Sequence, residues 1–429
     1  MKHNLDEAVV CIVGLGYIGL PLAEAFSKSL KVIGFDTDTE KVNQLRAQQE
    51  EYADDSASLT QLSASLTFTT NPEEINKADF VIICVPTPVT GAKKPDLSHV
   101  KAAATIVSRN MKKGSVVILE STVYPGATEE VVKPILEDSG FKCGQDFKIA
   151  YSPERINPGD SEHTIANVTK VVSGMDEETT ELVSGLYRKV TPRIFKARDI
   201  KIAEAAKVIE NIQRDLNIAL MNELSLIFSK MGLSIRDVVD TATTKWNFYP
   251  YFPGLVGGHC IPVDPYYLVY KARELGYNPQ VILAGRAIND YMSRHVAQLA
   301  IKALNEVGKV IKGSKALIMG LTYKENVADT RESPAKEIIK ELKEYGVEIL
   351  GYDPLLDNVE DEFGIKVISS LREVPKVDAV ILTVAHDSFK EIKLNELREV
   401  LNNKPILIDV RQIFNRSEAE REGFYYQSL

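Results

Sequence analysis

The sequence predicts an α/β fold with two doubly wound domains joined by a long central helix. Three observations predict it. Short apolar runs rich in β-branched residues alternate with helical stretches, the pattern of parallel βαβ units. The same order of runs occurs near the amino end and again near the carboxyl end. Between them lies a long stretch of helical periodicity. The length agrees, because 429 residues exceed one ordinary domain and suit two or three.

Taken in order, residues 9–13 read as a buried strand and 20–26 as a helix entered through Gly19. Residues 31–36 form a second strand ending in Asp36. Residues 80–85 form another, closed by Pro86 and Pro88, and 115–120 one more. Residues 199–232 then carry helical periodicity through Ile202, Ala206, Ile209, Leu216, Ala219, Leu220 and Leu224. Asp199 serves as N-cap and Gly232 stands just past the end. Such a helix is about 45–50 Å long, enough to join the end domains and build a subunit interface. The first grammar then returns: a strand at 316–320, a helix with Ile338, Ile339 and Leu342 on one face, and a strand at 348–353 ending in Asp353. KADFVIICVPT (77–87) has its counterpart in KVDAVILTVAH (376–386), and VVILES (116–121) in PILIDV (405–410). An old duplication and the common grammar of doubly wound domains explain this equally well. The expected divisions are 1–198, 199–309 and 310–429.

Composition excludes several classes. Hydrophobic residues make up 44% and charged residues 26%, a globular balance that rules out disorder and collagen. The net charge of −9 argues against broad nucleic-acid binding. Cys11, Cys84, Cys143 and Cys260 show no C-x-x-C spacing, which points to a reducing compartment. The histidines show no H-x-x-x-H pattern, so no zinc site is expected. The apolar run at 8–23 resembles a leader peptide, but Asp6 and Glu7 precede it. Gly14, Gly16, Gly19 and Pro21 punctuate it as strand, turn and helix. No other run is long enough to span a bilayer, and a cytoplasmic protein is expected.

Gly14-Leu-Gly16-Tyr-Ile-Gly19 is a G-x-G-x-x-G that follows a strand, opens a helix, and has Asp36 at the end of the next strand. That context is the dinucleotide fingerprint. Backbone N–H groups and the helix N-terminus receive the pyrophosphate. Asp36 accepts from ribose hydroxyls and repels a 2′-phosphate, so the expected cofactor is NAD rather than NADP. The second α/β domain lacks the fingerprint. Lys324 and Arg331 stand where strand and turn meet helix, and read either as a phosphate site built from cations or as a solvated loop.

Cys260 lies in a loop shaped by Pro253, Gly257, Gly258, Pro262 and Pro265. Cys11 and Cys84 fall in predicted core strands, so Cys260 alone has the setting of a nucleophile, with a buried structural thiol as the other reading. His259 points away from it in an extended segment and suits packing or substrate contact. Lys207 and Asn211 share one face of the central helix, a face expected to bear Leu220 as well. A Lys turned inward there can lower a thiol pKa and stabilise an alkoxide, and the other reading is a Lys that snorkels outward to solvent. Glu154 follows the last strand of the first domain and reads either as a carboxylate that activates water or as a turn residue.

These motifs together resemble the UDP-glucose/GDP-mannose dehydrogenase family over nearly the whole chain. The resemblance rests on GLGYIGLPLA (14–23), ESTVYPGAT (120–128), SPERINPGD (152–160), Lys207 with Asn211, GGHCIPVDPYYL (257–268) and YKENVADTRESPA (323–335). It implies two Rossmann-like domains joined by a long central helix and a helical dimerisation region, and a homodimer or larger homo-oligomer. It implies four-electron oxidation of a sugar C6 alcohol to a carboxylate with NAD+, through a Cys260 thiohemiacetal and thioester. Lys207 and Asn211 match the family's oxyanion pair, Asp264 a water-positioning acid, Glu154 the acid of thioester hydrolysis, and Thr122 a water or cofactor contact. The implied NAD contacts are Gly14, Gly16, Tyr17, Ile18, Gly19, Asp36, Lys41, Pro86, Thr87, Thr122 and Arg331. The implied substrate contacts are Glu154, Arg155, Lys207, Asn211, Tyr251, Gly257, His259, Lys324 and Arg411. The Val256 to Asp264 loop, with INPGD and PYFPG (250–254), resembles the branch that acts on UDP-N-acetylhexosamines, whose products are uronic acids for surface polysaccharides. UDP-N-acetylglucosamine and UDP-N-acetylmannosamine lead as substrates, with UDP-N-acetylgalactosamine next. A UDP-glucose 6-dehydrogenase, a two-electron β-hydroxyacid-type dehydrogenase with a structural Cys260, and a non-catalytic nucleotide-binding regulator are the competing readings.

Overall fold

The computed structural model describes residues 4–54, 65–156 and 162–429. It divides into two compact units, Met1–Glu210 with Val263–Asn278, and Asn211–Pro262 with Pro279–Leu429.

In the first unit the chain runs β1 (Val9–Val13), α1 (Gly19–Ser27), β2 (Lys31–Phe35), α2 (Thr39–Asp54), β3 (Leu66–Thr69), β4 (Phe80–Ile83), α3 (Ser98–Asn110), β5 (Val116–Leu119), α4 (Lys133–Glu137), β6 (Lys148–Tyr151), β7 (Lys170–Gly174), α5 (Glu177–Tyr187) and β8 (Ile194–Lys196). The strands form one sheet in the order β3-β2-β1-β4-β5-β6-β7-β8. Its pairs are parallel except β6 with β7, where Ala150 faces Gly174. Strand residues feed two cores alternately. Cys11, Val13, Ile33 and Phe35 enter one, and Val10, Ile12, Val32 and Phe68 the other. Helices cover both faces, which is why these strands read as unbroken apolar runs.

The second unit takes the later part of α6 (Ile200–Met231), with α7 (Ile235–Ala242) and α9 (Gln280–Glu306); α8 (Asp264–Glu274) belongs to the first. Next come β9 (Lys315–Met319), α10 (Ala335–Glu344), β10 (Glu348–Tyr352), β11 (Lys366–Ile368), β12 (Val377–Leu382), β13 (Leu401–Asp409) and β14 (Tyr425–Ser428). They form an all-parallel sheet in the order β11-β10-β9-β12-β13-β14, the order of the first six strands of the other sheet. The likeness extends to side chains. A Cβ on Gly34 of β2 would stand 3.0 Å from a Leu15 methyl, and one on Gly351 of β10 would stand 3.0 Å from a Leu321 methyl.

Helix α6 has 32 residues, and the Asp199 side chain caps it by accepting from Ile202 N at 2.9 Å. Gly232 follows in the left-handed region at φ +70. The expectation that Leu220 shares the face of Lys207 and Asn211 is corrected. At 100° per residue Leu220 lies half a turn round from Asn211, and it is 49% exposed while Asn211 is buried. Ile202, Ile209, Ile227 and Met231 are exposed too. No single helix among the described residues is long and apolar enough to cross a membrane.

Candidate active site

In the first unit, site residues collect at the carboxyl edge of the sheet, the binding edge of an open α/β sheet. The turn after β1 holds Gly14 at φ +98. Asp36, one residue beyond β2, accepts from Leu15 N at 2.9 Å and Asp38 N at 3.0 Å, and its Oδ2 lies 3.2 Å from Lys41 Nζ. Burial pushes this carboxyl up, but the two N–H groups and the ammonium outweigh it and hold it below the usual range. The turn fits a dinucleotide. A Cβ on Gly19 would collide with the Gly14 carbonyl, so packing requires that glycine, whereas a Cβ on Gly16 would meet no protein atom within 4 Å. Gly16 therefore leaves open space into which a pyrophosphate would fit. Tyr17 is exposed and Ile18 half-buried on the same turn. Pro86 and Thr87 follow β4, and Thr122 follows β5. Ser121 joins these two loops by donating to the Val85 carbonyl at 2.7 Å.

Beyond β6 the chain turns at Glu154, which is buried. Its Oε1 accepts from Arg155 N and Ile156 N, each at 2.6 Å. Burial raises its pKa, but Lys170, those two N–H groups and Lys207 together bring it below the ordinary value. Arg155 pairs with Glu210 at 2.8 Å. Asn157 to Asp160, the rest of the SPERINPGD motif with Pro158 and Gly159, lie outside the described residues. Asp264, buried, is the first residue of α8, and Tyr267 ties that helix to the loop after β4 by donating to the Pro88 carbonyl at 3.1 Å. Lys207 is half-buried on α6, one turn before the buried Asn211.

Four buried groups here, Lys170, Glu120, Tyr187 and Glu204, escaped the sequence reading. Lys170, at the start of β7, reaches Glu120 at 2.9 Å and Glu154 at 3.6 Å. Tyr187 of α5 donates to Glu120 as well. A lysine opening an apolar strand and a glutamate closing one were the available signal, since charges inside sheets are seldom buried unpaired. Glu204 of α6 is the fourth. It accepts from Gly126 N, Thr128 N and Thr128 Oγ1, fastening the far end of the loop that carries Thr122.

In the second unit, Cys260 is exposed, which removes the buried structural thiol. Its loop lies against the turn after β9. A Cβ on Gly257 would stand 2.7 Å from the Glu332 carbonyl oxygen and 2.9 Å from Tyr323 Cβ. A Cβ on Gly258, at φ +83, would stand 2.6 Å from the Tyr323 ring. The two most specific motifs are thus packed together, and only glycine lets them approach. Half-buried His259 is held below the ordinary imidazole value by burial and by Arg331, so it stays neutral near pH 7. Asn222 grips the segment ahead of the loop, donating to Gly254 O at 3.0 Å and accepting from Gly254 N at 2.8 Å. Tyr251 meets Gln213 at 3.3 Å.

A small cleft opens at the carboxyl ends of β9, β12 and β13, lined by Leu255, Tyr323, Glu325, Thr383 and Arg411 among others. This is where the order of the second sheet reverses. Arg411 approaches Glu325 at 3.6 Å. Lys324 is half-buried beside the cleft. Arg331 is half-exposed and ion-paired to Asp329 through Nε at 2.8 Å.

Comparison with known proteins matches most of the chain. The NAD binding domain of the UDP-glucose/GDP-mannose dehydrogenase family matches residues 8–191, its central domain 201–291 and its UDP binding domain 317–416. A UDP-N-acetyl-D-glucosamine 6-dehydrogenase of Pseudomonas aeruginosa is 44% identical over 97% of this chain and 99% of its own. A UDP-N-acetyl-D-mannosamine dehydrogenase of Methanococcus maripaludis is 33% identical over 100% of this chain and 98% of its own. The solved UDP-D-ManNAc dehydrogenase of Pyrococcus horikoshii superimposes with a TM-score of 0.86 at 29% identity, covering 98% of both chains.

Proposed function

Because this chain belongs to the UDP-glucose/GDP-mannose dehydrogenase family, we propose that it oxidises the C6 alcohol of a UDP-N-acetylhexosamine to the carboxylate in two steps, holding the intermediate on Cys260. The observation that carries the proposal is an exposed thiol on a loop that two glycines clamp against Tyr323. Bound NAD+ supplies the hydride acceptor for each oxidation.

An aldehyde has no hydride-donating tetrahedral carbon until something adds to it. The Cys260 thiolate adds to the aldehyde carbon, and the carbonyl oxygen becomes an oxyanion that Lys207 and Asn211 stabilise. After the second oxidation the carbon is a thioester. Glu154 takes a proton from water as the water oxygen bonds to that carbon, the C–S bond breaks, and the thiolate of Cys260 is restored. Asp264 positions the water and Lys207. Thr122 contacts the water or the cofactor, as do Pro86 and Thr87 on the cofactor side, while Asp36 and Lys41 hold the adenosine ribose. Arg331 is assigned to the cofactor. Arg155, Tyr251, Gly257, His259, Lys324 and Arg411 are assigned to the UDP-sugar. These assignments follow the matching motif positions.

UDP-N-acetylglucosamine is the first substrate to assay, because the relative named for it is 44% identical and the mannosamine relative 33%. A panel of UDP-sugars read by NADH tests the reading: two NADH per sugar supports it, and one per sugar supports a two-electron dehydrogenase instead. The divisions 1–198, 199–309 and 310–429 assign NAD binding, helical dimerisation and UDP-sugar binding. Exposed Leu220, Ile227 and Met231 on α6, with Trp246 at 90% exposure, support burial against a second copy. Light scattering checks the dimer. A cytoplasmic setting suits the chemistry, since only a reduced thiol can add to the aldehyde.

A further inference from the structure

We propose that Lys170 is a positioning residue for Glu154, keeping that carboxylate ionised and aimed for proton abstraction from water while Glu120 carries the spare proton of the cluster. The inference rests on the role given to Glu154 above.

The geometry is specific. Lys170 is buried at the start of β7, its ammonium 2.9 Å from Glu120 Oε1 and 3.6 Å from Glu154 Oε2. It also lies 5.1 Å from the centre of the Tyr187 ring. Glu154 Oε1 is occupied by two backbone N–H groups, so the carboxylate cannot turn. Oε2 is left as the working oxygen, and it is the one that faces Lys170.

Two buried carboxylates and one ammonium leave one unneutralised negative charge, which is costly in such a place. One carboxylate must be the easier to protonate. Glu120 Oε2 has no hydrogen-bond partner among the described residues, so a proton there displaces nothing. Glu154 has its two N–H donors and Lys170, and a proton on it would oppose all three. The pKa directions agree: burial raises Glu120 above its ordinary value, while Lys170 and the N–H groups bring Glu154 below its own despite burial. The other groups facing Glu154 do not replace Lys170. Lys207 of α6 lowers the Glu154 pKa less than Lys170 does, and the Arg155 guanidinium is turned to Glu210. Tyr187 is engaged with Glu120. Cys84, after β4, and Tyr151 of β6 are buried groups pushed well above their ordinary values, and so neutral.

The test is the pH profile of complete turnover in the holoenzyme with a UDP-N-acetylhexosamine. In Lys170→Met the acid limb moves up by about 1–3 pH units. Thioester hydrolysis slows severalfold or more at about pH 5, where the wild-type carboxylate is still ionised, while formation of the first NADH does not. Lys170→Arg restores the limb. Because Lys170→Met leaves two buried carboxylates unpaired and can fail to fold, Glu120→Gln/Lys170→Met is measured beside it, and the same upward shift is expected. Glu120→Gln alone leaves the limb in place. A wild-type limb in both Lys170→Met variants overturns the proposal, as does an equal upward shift in Glu120→Gln. Glu154→Gln separates the two layers. If it turns over normally, the assignment of Glu154 fails and this inference with it. If it stalls at the thioester while the Lys170 variants keep the wild-type limb, only the role of Lys170 fails.

Discussion

Asp36 and Asp353 stand at the same point of two similarly ordered sheets, one residue past the second strand. Each accepts the N–H of a leucine in the first turn, Leu15 at 2.9 Å and Leu321 at 2.7 Å. Beyond that they differ. Asp36 keeps one edge toward solvent beside Lys41. Asp353 is buried, accepts also from Thr322 N at 3.1 Å, and meets His386 Nε2 at 3.2 Å. His386 Nδ1 accepts from Asn326 N at 2.9 Å, so in the neutral ring the hydrogen is on Nε2 and points to the acid. Where the first turn has Gly16, the second has Thr322, whose hydroxyl also touches His386 at 3.2 Å. One sheet leaves its acid partly open beside Lys41, and the other uses it to hold its own turn together. Shared topology therefore says where a ligand sits and not which ligand it is.

The contrast can be attacked in several ways. Cys260→Ala has the largest expected effect, cutting acid formation by on the order of 10⁴-fold or more. NAD affinity, which belongs to the first sheet, should not change in a binding titration; normal acid production ends the covalent route. Next comes Asp353→Ala, which strands buried N–H groups and His386. It should lower unfolding free energy by about 2–4 kcal/mol in a denaturant melt without raising KM for NAD. A raised KM would erase the difference between the two acids.

The same acid predicts a pH effect. Burial raises the Asp353 pKa, but His386 and the backbone N–H groups outweigh it and hold the folded value below the unfolded one. Its stabilisation is thus complete above the unfolded value of about 3.9 and fades as pH falls through the folded one. Asp353→Asn should accordingly lose less stability than wild type as pH falls below about 4, and a parallel loss counts against it. Asp36→Ala should raise KM for NAD about tenfold and lower stability less than Asp353→Ala does, because the Asp36 edge and the Asp38 N–H it frees stand near solvent. The smallest effect is Gly16→Ala, a few-fold rise in KM for NAD with stability unharmed, because a Cβ there meets no protein atom. A clear loss of stability would mean that the turn, and not the ligand, needs that glycine.

Much of this was legible beforehand for a local reason. β1, β2, β4 and β5 appear within a residue or two of their apolar runs, because a strand buried on both faces needs apolar side chains at every position. Asp199 and Gly232 bracket α6 as expected, because caps depend on neighbouring backbone. The face of Leu220 was misread, since long helices wind their apolar residues past more than one neighbour. Lys170 and Glu120 went unread for a different reason. They are 50 positions apart in the chain, and nothing local marks a lysine in VTKVVSG as buried.

The sequence by itself determined the strand and helix order, the dinucleotide turn with its acid, and the choice of Cys260 over three other cysteines. Each of these depends on residues close together in the chain. Only the tertiary structure decided that Cys260 is exposed, that Gly257 and Gly258 make room for Tyr323, that Lys170 sits between two carboxylates, and that Asp353 is closed off where Asp36 is open. Burial and pairing are properties of what lies across from a side chain, and that neighbour comes from another strand.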